Sequence, residues 1–111
     1  MTETDAEELL RELAFRVWGN ADRHGFWNDQ PNYAEKIALI HSELSEALEA
    51  LRVADKPDQH CPDFTNFEIE LADVIIRVLD LAHAKGCRIG PATLAKIKYN
   101  ETRLYTHSKS F

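Results

Sequence analysis

Cysteine is scarce in this chain: Cys61 and Cys87 are the two among 111 residues, and neither belongs to a Cys-x-x-Cys motif. With His60-Cys61 as the nearest approach to a ligand pair, free thiols are favoured over a disulfide or a zinc site. Glycine and proline are sparse as well, four of each, and stand mainly where helices should stop. No repeat, low-complexity tract or long linker divides the chain, and strand signals are absent, so the sequence reads as one all-α domain spanning residues 1–111. Long apolar runs are missing too, none approaching the roughly 18–20 residues that cross a bilayer. No basic leader precedes an apolar stretch in Met1-Thr-Glu-Thr-Asp-Ala-Glu-Glu8, which sets the expectation of a soluble, cytoplasmic protein with no membrane partner. Asn100-Glu-Thr102 spells a glycosylation sequon, a chance match in that setting. Basic charge is in deficit, 13 Lys and Arg against 19 Asp and Glu, for a formal net charge of −6. That balance argues against a nucleic-acid partner.

What is present is a helical pattern. Hydrophobic residues make up 44% of the chain, enough for a small core whose stability depends on association, so a homo-oligomer is expected. Four helices are the natural parse. The first begins near Thr4, in a capping-box spacing with Glu7, directs Leu9, Leu10, Leu13, Val17 and Trp18 towards a core, and ends before His24-Gly25. Asn32, with Glu35 three residues on, caps a second helix reaching about Val53. A loop over residues 55–65 leads to a third helix over 66–84, which stops at Lys85-Gly86. Gly90-Pro91 opens the fourth, with proline near its tolerated first position.

Acidic residues interrupt the apolar pattern at two places. On the second helix Ile37, Ile40, Leu44, Ala47, Leu48 and Leu51 form one stripe, and Lys36, Glu43 and Glu46 line the strip beside it. On the third, apolar residues cover most of the circumference and leave a narrow strip of Glu70, Asp73, Arg77 and Asp80, as befits a helix in the middle of a bundle. Glu43-x-x-Glu46 and Glu70-x-x-Asp73 each place two carboxylates on one helix face, about 5–6 Å apart at Cβ. Carboxylates bordering a core cost several kcal/mol unless paired or metal-bound. Facing each other, these pairs would form an all-oxygen cage. Ordinary ion pairing, with Arg77 one turn beyond Asp73, is the competing explanation. Zinc calls for His or Cys, and a di-iron bundle for Glu-x-x-His, so Mg²⁺, or Mn²⁺, suits the donors best.

The fourth helix carries Lys96, Asn100 and Arg103 on one face, suited to phosphate oxygens, although such a face is often simply solvated. Phe26, Trp27 and Trp18 are candidates for stacking on a nucleobase, against packing as the plainer role. His24 and His41 have no partner identifiable from sequence.

Taken together, Glu43-x-x-Glu46, Glu70-x-x-Asp73 and Lys96-Ile-Lys-Tyr-Asn100-Glu-Thr-Arg103 resemble the MazG-like all-α nucleoside triphosphate pyrophosphohydrolase superfamily, in its single-domain bacterial and phage form. The resemblance covers about residues 26–109 and is strongest over residues 35–52 and over the Lys-Tyr-Asn-Glu-Thr-Arg stretch followed by Tyr105 and His107. Leu104 and Ser108 depart from it, standing where related tails often have proline and glycine. The resemblance implies a four-helix bundle assembled as a dimer or tetramer that completes its sites across chains. It also implies a Mg²⁺-dependent hydrolase cleaving a nucleoside triphosphate to the monophosphate and pyrophosphate. Glu43, Glu46, Glu70 and Asp73 would be metal ligands, with Glu46 also the general base for a metal- or carboxylate-activated water. Lys96, Asn100 and Arg103 would contact phosphate, Phe26 and Trp27 the base, and Lys36 is a further candidate. Two alternatives stand beside this: a relative specific for dUTP, dCTP or phosphoribosyl-ATP, and a non-catalytic helical module whose acids meet a basic partner.

Overall fold

The computed structural model describes residues 2–29 and 32–103. Four helices make it up: α1 (Glu3–Arg23), α2 (Tyr33–Arg52), α3 (Asn66–Lys85) and α4 (Ile89–Thr102), with no strand among the described residues. Pro31, Leu104, Tyr105, His107 and Ser108 lie outside them.

Local chemistry sets the helix ends. α1 starts two residues earlier than the Thr4 cap expected from sequence. Thr2 is the N-cap; its hydroxyl accepts from Asp5 N at 3.1 Å, and the Asp5 carboxylate accepts from Thr2 N at 3.0 Å. Thr2-x-x-Asp5 and Thr4-x-x-Glu7 are both usable boxes, and the earlier one lengthens the helix while setting Glu3 and Asp5 in its first turn, where the helix dipole favours acids. Hydrogen bonding to the carboxylate, from the Thr2 backbone N–H first and the Thr2 side chain second, holds the Asp5 carboxyl below its ordinary pKa. α2 opens on Asn32 as expected, with its side chain accepting from Glu35 N at 3.1 Å. α3 opens on a reciprocal Thr65 and Glu68 box and closes on Gly86 at φ 73°, a left-handed conformation that glycine adopts without strain. In α4, proline is the third helical residue rather than the first; its missing N–H is one of the four that no helix start satisfies internally.

The loop before α3 is tightly knit. Asp58, the buried polar residue, accepts from His60 N and Cys61 N, each at 2.9 Å. An antiparallel bridge joins Pro57 to Thr65, and Asn66 N donates to Lys56 O at 2.7 Å.

The packing order is α2, α3, α1, α4, so α3 lies in the middle, as its apolar circumference predicts. The large apolar stripe does not fill the centre of this single chain. Small residues do: Ala14, Ala47, Ala50 and Ala82 are buried with Leu79, letting backbones approach. Leu9, Leu13, Ile37, Leu44, Leu48 and Leu51, all expected in the core, are instead 36–60% exposed, and Ile75 on α3 is 56% exposed. Binary patterning marks residues that avoid water; it does not say whether their own chain or another covers them.

The α1–α4 contact depends on one glycine. A Cβ at Gly90 would stand 3.0 Å from Glu7 O and 3.1 Å from Glu7 Cα, both backbone atoms that cannot turn aside. Gly90→Ala is therefore expected to cost about 1–3 kcal/mol, read as a lower urea midpoint. An unchanged midpoint would show that the two helices slide apart freely.

Candidate metal centre and adjoining cavity

The packing of α2 on α3 brings the acidic strips together. Glu43, Glu46 and Glu70 each contribute a carboxylate oxygen to a group whose members lie within 4.8 Å of one another. The Glu43 side chain is only 13% exposed, Glu70 is half-buried and Glu46 faces solvent. Oε2 of Glu70 is buried with no hydrogen-bond partner among the described residues. Loss of water, then the neighbouring Glu46 carboxyl, then the charges of Asp73 and Glu43 push its pKa up to about 7. Asp73, one turn further on, stands outside this tight group and lines the cavity beside it together with Glu43. Its pKa is raised by burial first and by Glu43 next, with Arg77 opposing and Glu46 and Asp58 adding to the rise.

A hard divalent cation fits this donor set. Every convergent atom is an oxygen, one of them is buried without a donor, and no His or Cys belongs to the group. Such an ion would supply positive charge that these three carboxylates and the adjacent Asp73 lack, since among the described residues the cation bonded to them is Arg77, whose Nε donates to Glu43 Oε1 at 2.6 Å. Ion pairing is thus real at this site, but it serves one of the four acids.

The cavity measures about 420 Å³ and lies between α1, the 24–29 turn, α2 and α3. Phe26, Trp27 and Lys36 line it with Glu43 and Asp73, so these residues of separate segments meet at one place. The Trp27 indole N–H donates to Asp80 Oδ1 at 2.9 Å. Lys36 Nζ donates to Phe26 O at 3.3 Å and sits 4.6 Å above the centre of the Trp27 ring. Burial raises the pKa of Asp80, while the Trp27 hydrogen bond and Lys36 oppose the rise. The aromatic turn is therefore fastened to α3 and α2.

Other candidates lie elsewhere. Lys96, Asn100 and Arg103 are exposed on α4, which packs on α1, and none lines the cavity; Lys96 and Arg103 both lie over the Tyr99 ring, at 4.7 and 5.7 Å. Trp18 packs on His83, ring centres 4.9 Å apart, rather than facing the cavity. His24 caps α1 through Nδ1 and Asn20 O at 2.7 Å. His41 is exposed, and so are the free Cys61 and Cys87.

Sequence reasoning placed Arg77 and Asp80 on the acidic strip without giving them a place in the cavity, although their spacing from Asp73 puts them one and two turns along its face. Asn20 and Asp58 carried no usable signal. Asn20 joins the cavity from α1, and Asp58 reaches the field of Asp73 only because its loop folds back. Among the described residues no helix is long and apolar enough to cross a membrane. In comparisons with known proteins, the chain matches no family model, no curated protein and no solved structure.

Proposed function

We propose that this chain is a MazG-like, Mg²⁺-dependent nucleoside triphosphate pyrophosphohydrolase that converts a (d)NTP to the (d)NMP and pyrophosphate, and that it works as a homodimer or homotetramer. The observation that carries this reading is the buried, partnerless Glu70 Oε2 within a three-carboxylate group, opening beside an aromatic-walled cavity. Mg²⁺ or Mn²⁺ would neutralise the triphosphate and polarise the scissile phosphoanhydride. Glu43, Glu46 and Glu70 would hold the ion, with Asp73 joining from the cavity wall.

Glu46, the solvent-facing member of the group, would accept the proton of the attacking water. Trp27, whose indole N–H bonds Asp80 and whose ring lies against Lys36 Nζ, would stack on the base beside Phe26. Lys96, Asn100 and Arg103 would serve phosphate from a neighbouring copy, since their own helix packs on α1. The exposed Leu44, Leu48 and Leu51 stripe and Ile75 support assembly, because such a run of apolar surface is stable when another chain covers it.

Phosphorus NMR of products from a panel of ribo- and deoxyribonucleoside triphosphates, with phosphoribosyl-ATP added, tests the proposal. Monophosphate and pyrophosphate are expected, and a preference for dUTP, dCTP or phosphoribosyl-ATP would narrow the substrate. Release of orthophosphate would refute it. No turnover with either Mg²⁺ or Mn²⁺ would leave a helical binding module as the better description.

A further inference from the structure

Arg77 occupies an unusual position for a structural arginine. Its Nε bonds Glu43 Oε1 at 2.6 Å, and Glu43 is also one of the three carboxylates whose oxygens converge within 4.8 Å. One acid thus faces two demands. A divalent cation among Glu43, Glu46 and Glu70 would lie close to a guanidinium of like charge, and Glu43 lone pairs given to Arg77 are withheld from the ion.

Arg77 can leave. Its side chain is 41% exposed and lines the cavity, and its remaining guanidinium N–H groups make no hydrogen bond to the described residues. Five donors in a planar fork suit phosphoryl oxygens as well as they suit a carboxylate. Lys36, the other cation lining this cavity, is already engaged with Phe26 O and the Trp27 ring.

Resting on the metal-dependent reading above, we propose that Arg77 is a built-in counterion for Glu43: it holds Glu43 until a divalent cation arrives with a polyphosphate, then releases Glu43 and binds phosphoryl oxygen. Arg77 thereby disfavours the ion alone and favours the ion with substrate, which couples the two binding events. Reciprocity of such coupling means that each ligand tightens the other by one and the same factor.

The test uses two binding measurements that need no turnover. Mn²⁺ binding to the whole chain is followed by the electron paramagnetic resonance signal of free Mn²⁺, and binding of inorganic tripolyphosphate in saturating Mg²⁺ is followed by calorimetry. Arg77→Gln is expected to tighten Mn²⁺ alone about five- to tenfold and to weaken tripolyphosphate about tenfold. Arg77→Lys, which keeps the charge without the fork, should fall between wild type and Arg77→Gln in both, so loss of packing in the Gln variant cannot mimic the pattern. If Glu43→Gln weakens Mn²⁺ binding while both Arg77 variants behave as wild type, the counterion role is overturned and the metal site stands. If the wild-type chain binds no Mn²⁺ with or without tripolyphosphate, the metal-dependent reading itself fails.

Discussion

Replacing Glu43 by Gln or Asp73 by Asn is expected to lower pyrophosphate release at least 100-fold, about 2.7 kcal/mol of barrier, with the helical circular dichroism unchanged. Each substitution keeps the side-chain volume and one oxygen while removing a negative charge. Glu43 belongs to the convergent group, and Asp73 shares the cavity wall with it. Their common loss would place both acids on the reaction path. The fold should tolerate each change, because Glu43→Gln frees an Arg77 that is 41% exposed and can turn to water, and Asp73→Asn relieves a carboxyl whose pKa burial already raises. Undiminished turnover in both variants would remove Glu43 and Asp73 from the reaction and restore ordinary ion pairing as the explanation for the acidic strips.

Glu70→Gln is expected to raise stability above neutral pH. The Glu70 carboxyl has its pKa raised to about 7 in the folded chain, from an ordinary 4.5. The folded form therefore binds that proton more tightly than the unfolded form does. Its contribution is complete below about pH 4.5 and is lost as pH rises through 7, so the metal-free chain in chelator should melt lower at pH 8 than at pH 5. Half-burial and solvent screening reduce the effect to about 1–2 kcal/mol, a change of roughly 5–10 °C for a chain of this size. Asp73 titrates in the same direction and leaves a residual slope.

Glutamine cannot ionise, so Glu70→Gln should flatten most of that slope and raise the melting temperature at pH 8. It should also weaken the stabilisation that millimolar Mg²⁺ gives the wild-type chain by binding its native state. A variant that melts lower than wild type at pH 8 in chelator would mean that the ionised carboxylate is held by a favourable partner, and the cage would lose its strongest support. The two experiments are complementary: one asks whether the acids act, the other whether their crowding is costly without a cation.

The helices were legible because their signals are local. Asn32 with Glu35, Gly86 at a positive φ and the 3.6-residue apolar spacing each act within one or two turns, and the chain obeys them. The α1 boundary moved from Thr4 to Thr2 because two capping boxes overlap there, and α4 opens on Ile89, one residue ahead of Gly90-Pro91. The acidic strips were legible for a related reason: an i, i+3 pair fixes which face of its own helix a carboxylate takes.

Which faces meet was not contained in those spacings. Packing α2 on α3 joined Glu43 and Glu46 to Glu70, packing α1 on α3 brought Asn20 into the cavity, and the turn after α1 carried Phe26 and Trp27 to Lys36 and Asp80. Docking α4 on α1 left Lys96, Asn100 and Arg103 on a different surface, an outcome no periodicity of α4 could reveal. Short-range hydrogen bonds and side-chain periodicity are written in neighbouring residues, so the sequence alone determined four helices and the acidic face of two of them. Contacts between distant segments depend on how side chains of several helices fit at once, so the tertiary structure alone decided that three carboxylates converge, that Arg77 claims one of them, and that four alanines with Leu79, rather than the leucine stripe of α2, fill the centre of the single chain.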